Sequence, residues 1–200
     1  MKLGIWVSLP LLVCSVGAAS VERGKELVQS RNFKTAESEL QQAVNDNGDD
    51  AAARLYLGIA QTHMARGGAA VDTLKKAVEL DGASANARYA LAMAQVEAKQ
   101  FSEAEATLGE AEGIDGSHAE RNSVRGSWLA AQKRFKESVE PLEAAVASRP
   151  ADAFAHYYLG LAYSNLKRPD KMIQHFEEFL RLEPDSPNAT RVRGFLKNVR

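Results

Sequence analysis

RLYLGIAQ at residues 54–61 returns as HYYLGLAY at residues 156–163. Leu-Gly, a following aliphatic residue and Ala keep their places, and the copies lie three periods of 34 residues apart. Written in rows of that length, residues 51–84, 85–118, 119–152 and 153–186 align without a gap. A first row begins near residue 20 and ends at residue 50. Gly24, Gly58, Ala92, Gly126 and Gly160 make one column of small residues. Another column holds Leu40, Leu74, Leu108, Leu142 and Phe176, and a third holds Ala43, Ala77, Ala111, Ala145 and Phe179. A fixed period of this length, kept in several columns, is the signature of a repeat architecture.

Within each row the apolar residues fall at helical spacing twice, as with Leu55, Ile59 and Thr62 and then Val71, Leu74, Ala77 and Val78. The small column lets two antiparallel helices approach closely. Gly48, Gly82 and Gly116 follow apolar runs and are expected to end helices in the left-handed conformation. Ser102-Glu103-Ala104-Glu105 and Ser117-His118-Ala119-Glu120 read as capping boxes that start helices. Pro141 is expected to bend the second helix of its row. Ordering 34 residues costs roughly 50 kcal/mol at about 1.5 per residue. Offsetting that takes about 2,000 Å² of buried apolar surface, which neighbouring rows must supply. After the last row, Ser186-Pro187 opens a helix whose Val192, Phe195, Leu196 and Val199 share one face, as an end cap requires.

These motifs resemble the tetratricopeptide repeat family, whose 34-residue signature carries Leu-Gly, an aromatic, Ala, an aromatic or Leu, Ala and Pro. HYYLGLAY with Phe176 and Pro184 matches, as do Leu57-Gly58, Ala70 and Ala77, and Leu91, Ala104 and Ala111. Arg23 and Arg125 depart from it by standing where Leu belongs, and Gly67 and Pro169 replace the aromatic seen at Phe33, Phe101 and Phe135. The resemblance implies an all-α fold, a right-handed α-solenoid of antiparallel helix pairs with a C-terminal capping helix over residues 187–200. It also implies that the first helix of each pair lines a concave groove for a partner peptide or helix. Mapped onto this chain, the groove residues are Leu55, Ile59, His63, Tyr89, Met93, Ser127, Phe154, Tyr157, Leu161 and Asn165. The positions where some relatives grip acidic tails hold Val21, Lys25, Tyr56, Tyr89 and Met93, so that carboxylate clamp is missing.

Composition bounds the rest. With 25 Lys and Arg against 26 Asp and Glu, and no basic block, nothing points to nucleic acid. Residues 1–19 begin with Lys2, continue through an apolar run and end in Gly17-Ala18-Ala19, the layout of a cleaved export signal. Removal after Ala19 leaves a chain with no cysteine, since Cys14 is the only one. The chain is therefore expected in a periplasm or outside the cell, touching a membrane only if the signal is retained. No two of His63, His118, His156 and His175 sit three to five apart, there is no HExxH, and no glycine-rich phosphate loop or nucleophile elbow occurs. No metal, cofactor or enzymatic activity is expected. The reading is a non-enzymatic protein-binding scaffold; the alternative is a self-associating structural protein of the cell envelope.

Overall fold

The computed structural model describes residues 13–197. They form eleven helices: α1 (Val13–Gln29), α2 (Phe33–Asp46), α3 (Ala51–His63), α4 (Gly67–Leu80), α5 (Ala85–Glu97), α6 (Phe101–Ile114), α7 (Arg121–Ala131), α8 (Phe135–Ser148), α9 (Ala153–Asn165), α10 (Pro169–Leu182) and α11 (Pro187–Lys197). No strand occurs among the described residues. Each odd helix from α1 to α9 packs against the even helix after it, and each from α1 to α7 also packs against the next odd helix, so the pairs stack as an α-solenoid. The apolar part of the export signal lies mainly in residues 1–12, outside the described residues, as does Val199.

The repeating columns have a direct steric meaning. A Cβ placed on Gly24 would come within 2.4 Å of the Leu40 side chain, on Gly58 within 2.3 Å of Leu74, on Gly126 within 2.5 Å of Leu142 and on Gly160 within 2.3 Å of Phe176. The large residue of the second helix fills the hole left by the glycine of the first. Leu40, Leu74, Leu142 and Phe176 are fully buried there. Gly67 serves a different contact: a Cβ on it would stand 2.9 Å from the backbone nitrogen of Ala98, so the missing aromatic makes room for the next pair.

Helix ends follow other rules than the sequence suggested. No glycine has a positive φ among the described residues. The left-handed positions are Arg31, Ala65, Lys99, Lys133 and Lys167, with φ between 55° and 65°, one in each turn inside a pair. At the first of these, Arg31 N–H donates to Val28 O at 3.0 Å and Asn32 N–H to Leu27 O at 2.8 Å. That is a Schellman motif, and the same two bonds recur at the other four turns. Gly48, Gly82 and Gly116 therefore do not end helices in the way expected of them.

The two capping-box patterns do not cap helices either. Asp50, Ser84 and Asp152 cap α3, α5 and α9, each accepting from the N–H three residues on. The equivalent residue before α7 is His118, whose Nδ1 accepts from Glu120 N–H at 3.2 Å. Helix α7 then starts only at Arg121, without a side-chain cap, while Ser117 turns back to Asp115. Ser102 lies inside the first turn of α6, whose N-cap Gln100 makes no capping bond. Pro141 does not break α8, which runs for 14 residues like its counterparts. Arg125 is 41% exposed and turns outward to Glu112, its Nη2 donating at 2.7 and 2.8 Å to the two carboxylate oxygens. The cap α11 buries Ala189, Val192 and Leu196, and the Phe195 ring stacks on Phe176 at 5.3 Å.

Candidate functional site

The ten groove residues fall into two groups. Leu55, Tyr89, Met93, Ser127 and Tyr157 are buried in the stack. Leu55 packs with Val71, Leu74 and Leu91 between neighbouring pairs. Tyr89 is wholly enclosed; its hydroxyl donates to Asp115 O at 2.8 Å and its ring stacks on His118 at 4.8 Å. Burial raises the pKa of that phenol, chiefly by denying the phenolate water. Tyr157 accepts from Arg191 of α11 at 3.2 Å and lies against Phe179. Ile59, His63, Phe154 and Leu161 are half-buried, and Asn165 is exposed.

Two openings result. A cavity of about 100 Å³ brings together Ile59, His63, Tyr89, Met93 and Phe154, with Glu120 beside them. A larger cleft of about 380 Å³ is lined by Tyr157, Leu161 and Asn165 from α9, by Phe101 and Phe135 at the starts of α6 and α8, and by Arg191 and Phe195 from the cap. Lys99 and Lys133, both exposed, stand at its edge. The cleft and the cavity thus divide eight of the ten residues between them, and Leu55 and Ser127 line neither.

Polar groups span the space between distant pairs. Tyr158 donates its hydroxyl to Glu97 Oε1 at 2.7 Å, joining α9 to the end of α5. Burial holds the Glu97 carboxyl above the ordinary carboxylate range, an effect opposed by that hydrogen bond, and drives the Tyr158 phenol far upward. Nδ1 of His63 stands 2.7 Å from Oε1 of Glu183, and the His63 ring stacks on Phe33 at 4.2 Å. Glu97, Tyr158 and Glu183 were not legible as site residues. Their partners lie more than 60 positions away in sequence, and no spacing rule connects them.

A second feature joins two histidines that sequence spacing had separated. His156 Nδ1 lies 3.0 Å from His175 Nδ1, and His156 Nε2 lies 3.0 Å from Pro150 O. A carbonyl only accepts, so His156 carries its proton on Nε2. His175 must then donate from Nδ1. Burial and the neighbouring His156 ring lower the His175 pKa to about 4. Among the described residues no group of three or more His, Cys, Asp or Glu is placed to hold a metal ion.

Comparison with known proteins adds to this geometry. Two family models, both described as tetratricopeptide repeat, match the chain, one over residues 66–125 and the other over residues 21–63 and 125–193. No curated protein matches it by sequence. Among solved structures, a thermophilic TPR protein of Thermus thermophilus is similar over 90% of this chain and 98% of its own, with 18% identity and a TM-score of 0.68. PilF of Pseudomonas aeruginosa is similar over 85% of this chain and 78% of its own, with 18% identity and a TM-score of 0.56. MamA is similar over 84% and 92%, with 21% identity and a TM-score of 0.52. Identities this low speak to the fold alone.

Proposed function

Since this chain belongs to the tetratricopeptide repeat family, we propose that it is a non-enzymatic scaffold that receives a peptide or helix of another protein on its inner wall. The observation that carries this reading is the cleft of about 380 Å³. Phe101, Phe135, Leu161 and Phe195 stand half-buried there, between polar Asn165 and Asn188 and the charged tips of Lys99 and Arg191. Half-buried aromatic and aliphatic groups inside a polar rim are what a partner's anchor side chains need, because they lose water on contact while the rim fixes direction. The buried half of the groove set contributes shape instead of contact.

Leu161→Glu with Asn165→Glu is the test, since both residues face the cleft and neither is buried. Proteins retained by the unaltered chain on an affinity matrix are expected to be lost with the double variant, while thermal unfolding stays nearly unchanged. Undiminished retention of the same proteins refutes the groove. Met93 is unsuitable for such a test because it is buried.

The proposal includes export. In the unprocessed chain, α1 runs from Val13 to Gln29 across the expected cleavage point after Ala19. Cleavage there leaves Ser20–Gln29, which still contains the Gly24 contact to Leu40. No helix of the described residues is long and apolar enough to cross a membrane. Mass spectrometry of the protein from cell-envelope fractions decides the point: loss of residues 1–19 supports export, and an intact N-terminus in the cytosolic fraction refutes it.

A further inference from the structure

A partner enters the inner wall of a helical stack through the space between its first and last pairs. Here that space is bridged. Arg31, at the left-handed end of α1, donates from Nη1 to Glu183 Oε1 at 2.7 Å, and its Nη2 donates to Ala151 O. Nδ1 of His63 faces the same Glu183 oxygen at 2.7 Å. The His63 ring lies between Phe33 at 4.2 Å, nearly parallel, and Phe154 at 4.5 Å. Glu183 follows α10 and its side chain is only 5% exposed.

None of this belongs to the repeating pattern. One row on from Arg31 stands Ala65, one row on from His63 stands Glu97, and one row back from Glu183 stands Arg149. Adjacent pairs hold a repeat stack together, and each pair needs only its neighbours. A contact between the first two pairs and the fifth is therefore extra to stacking, and its members make or break it together. A carboxylate so shielded from water depends on its hydrogen-bonded partner Arg31, because losing it leaves a charge poorly solvated.

We infer that Arg31, His63 and Glu183 form a latch that holds the solenoid shut, and that the inner wall is fully reached only when the latch opens. The second half of this inference rests on the groove reading; the first does not. A closed majority state lowers apparent affinity by the fraction of molecules that are open. Loss of the Glu183 charge is expected to raise that fraction on the order of tenfold or more.

Lys34 and Asp185 are exposed on opposite sides of the bridged space. Spin labels on cysteines at these two positions, in the full chain with Cys14→Ser, allow the distance between them to be measured by pulsed dipolar spectroscopy. Glu183→Gln keeps the shape and removes the charge; Arg31→Lys keeps the charge and removes the second prong. Both are expected to give longer and broader distance distributions than the parent, with helical circular dichroism retained. Glu79→Gln, which breaks only the exposed pair with Lys76, is expected to leave the distances alone. Parent-like distances in Glu183→Gln overturn the latch, and so does lengthening that appears only together with lost helical signal. No partner enters this measurement. A latch that opens on schedule while Leu161→Glu with Asn165→Glu leaves capture intact keeps the latch and removes the groove.

Discussion

Acid should loosen the fifth helix pair at one identifiable place. The hydrogen bond from His175 Nδ1 to His156 Nδ1 leaves Nε2 as the nitrogen at which His175 takes up a further proton. That proton places a charge on a buried ring beside His156, with little water to solvate it. In the folded chain His175 has its pKa lowered to about 4, whereas in the unfolded chain it returns to about 6.5. The unfolded state therefore binds a proton between these values that the folded state refuses. The contribution is complete above pH 6.5, falls as pH drops through the window and levels off below 4. Between pH 7.5 and 5.0 the loss comes to about 2 kcal/mol, less whatever solvent at the ring edge screens away.

Urea unfolding at the two pH values reads this loss directly. His175→Asn offers a side-chain N–H where Nδ1 lies but does not titrate, so carboxylates that respond to both pH values cancel in the comparison. The parent is expected to lose up to about 2 kcal/mol more than the variant between pH 7.5 and 5.0, the screened part subtracted. Equal losses in the two proteins would falsify the lowered pKa of buried His175.

Two further perturbations probe the packing and the caps. Gly160→Ala pushes a methyl to within 2.3 Å of Phe176 and should cost about 1–3 kcal/mol in chemical denaturation, whereas Gly109→Ala, in open space on α6, should stabilise by roughly 0.5–1 kcal/mol; a reversed order contradicts the close-approach argument. His118→Asp supplies the side-chain cap that α7 lacks and should add about 1 kcal/mol and some helical circular dichroism, reduced by the lost stacking on Tyr89; a destabilised variant shows that the stacking outweighs the cap.

The repeat was legible because it is written in local rules applied five times. Gly58 facing Leu74 follows from residues 16 apart on two short helices, and each row repeats the same constraint. The turns were less legible. A left-handed residue is usually a glycine, and here Arg, Ala and Lys take that conformation because two Schellman hydrogen bonds hold it. The late start of α7 was hidden behind a capping-box pattern whose Ser117 bonds to Asp115 instead. Contacts across the stack were out of reach. Arg31 meets Glu183 because small rotations between pairs add up until the fifth pair returns toward the first, and no column of the alignment encodes that sum. The same curvature explains why half of the groove set is buried: Tyr89 and Tyr157 fill the inside of a tight stack.

Photocrosslinking from the inner wall tests the central claim most directly. A photoreactive amino acid at Leu161 faces the cleft, and one at Leu80, an exposed residue ending α4, points away from the buried core. Irradiated in its native compartment, the chain is predicted to give a discrete adduct with another protein from position 161 and none from position 80. Adducts from position 80 alone, or only with a second copy of this chain, would contradict it.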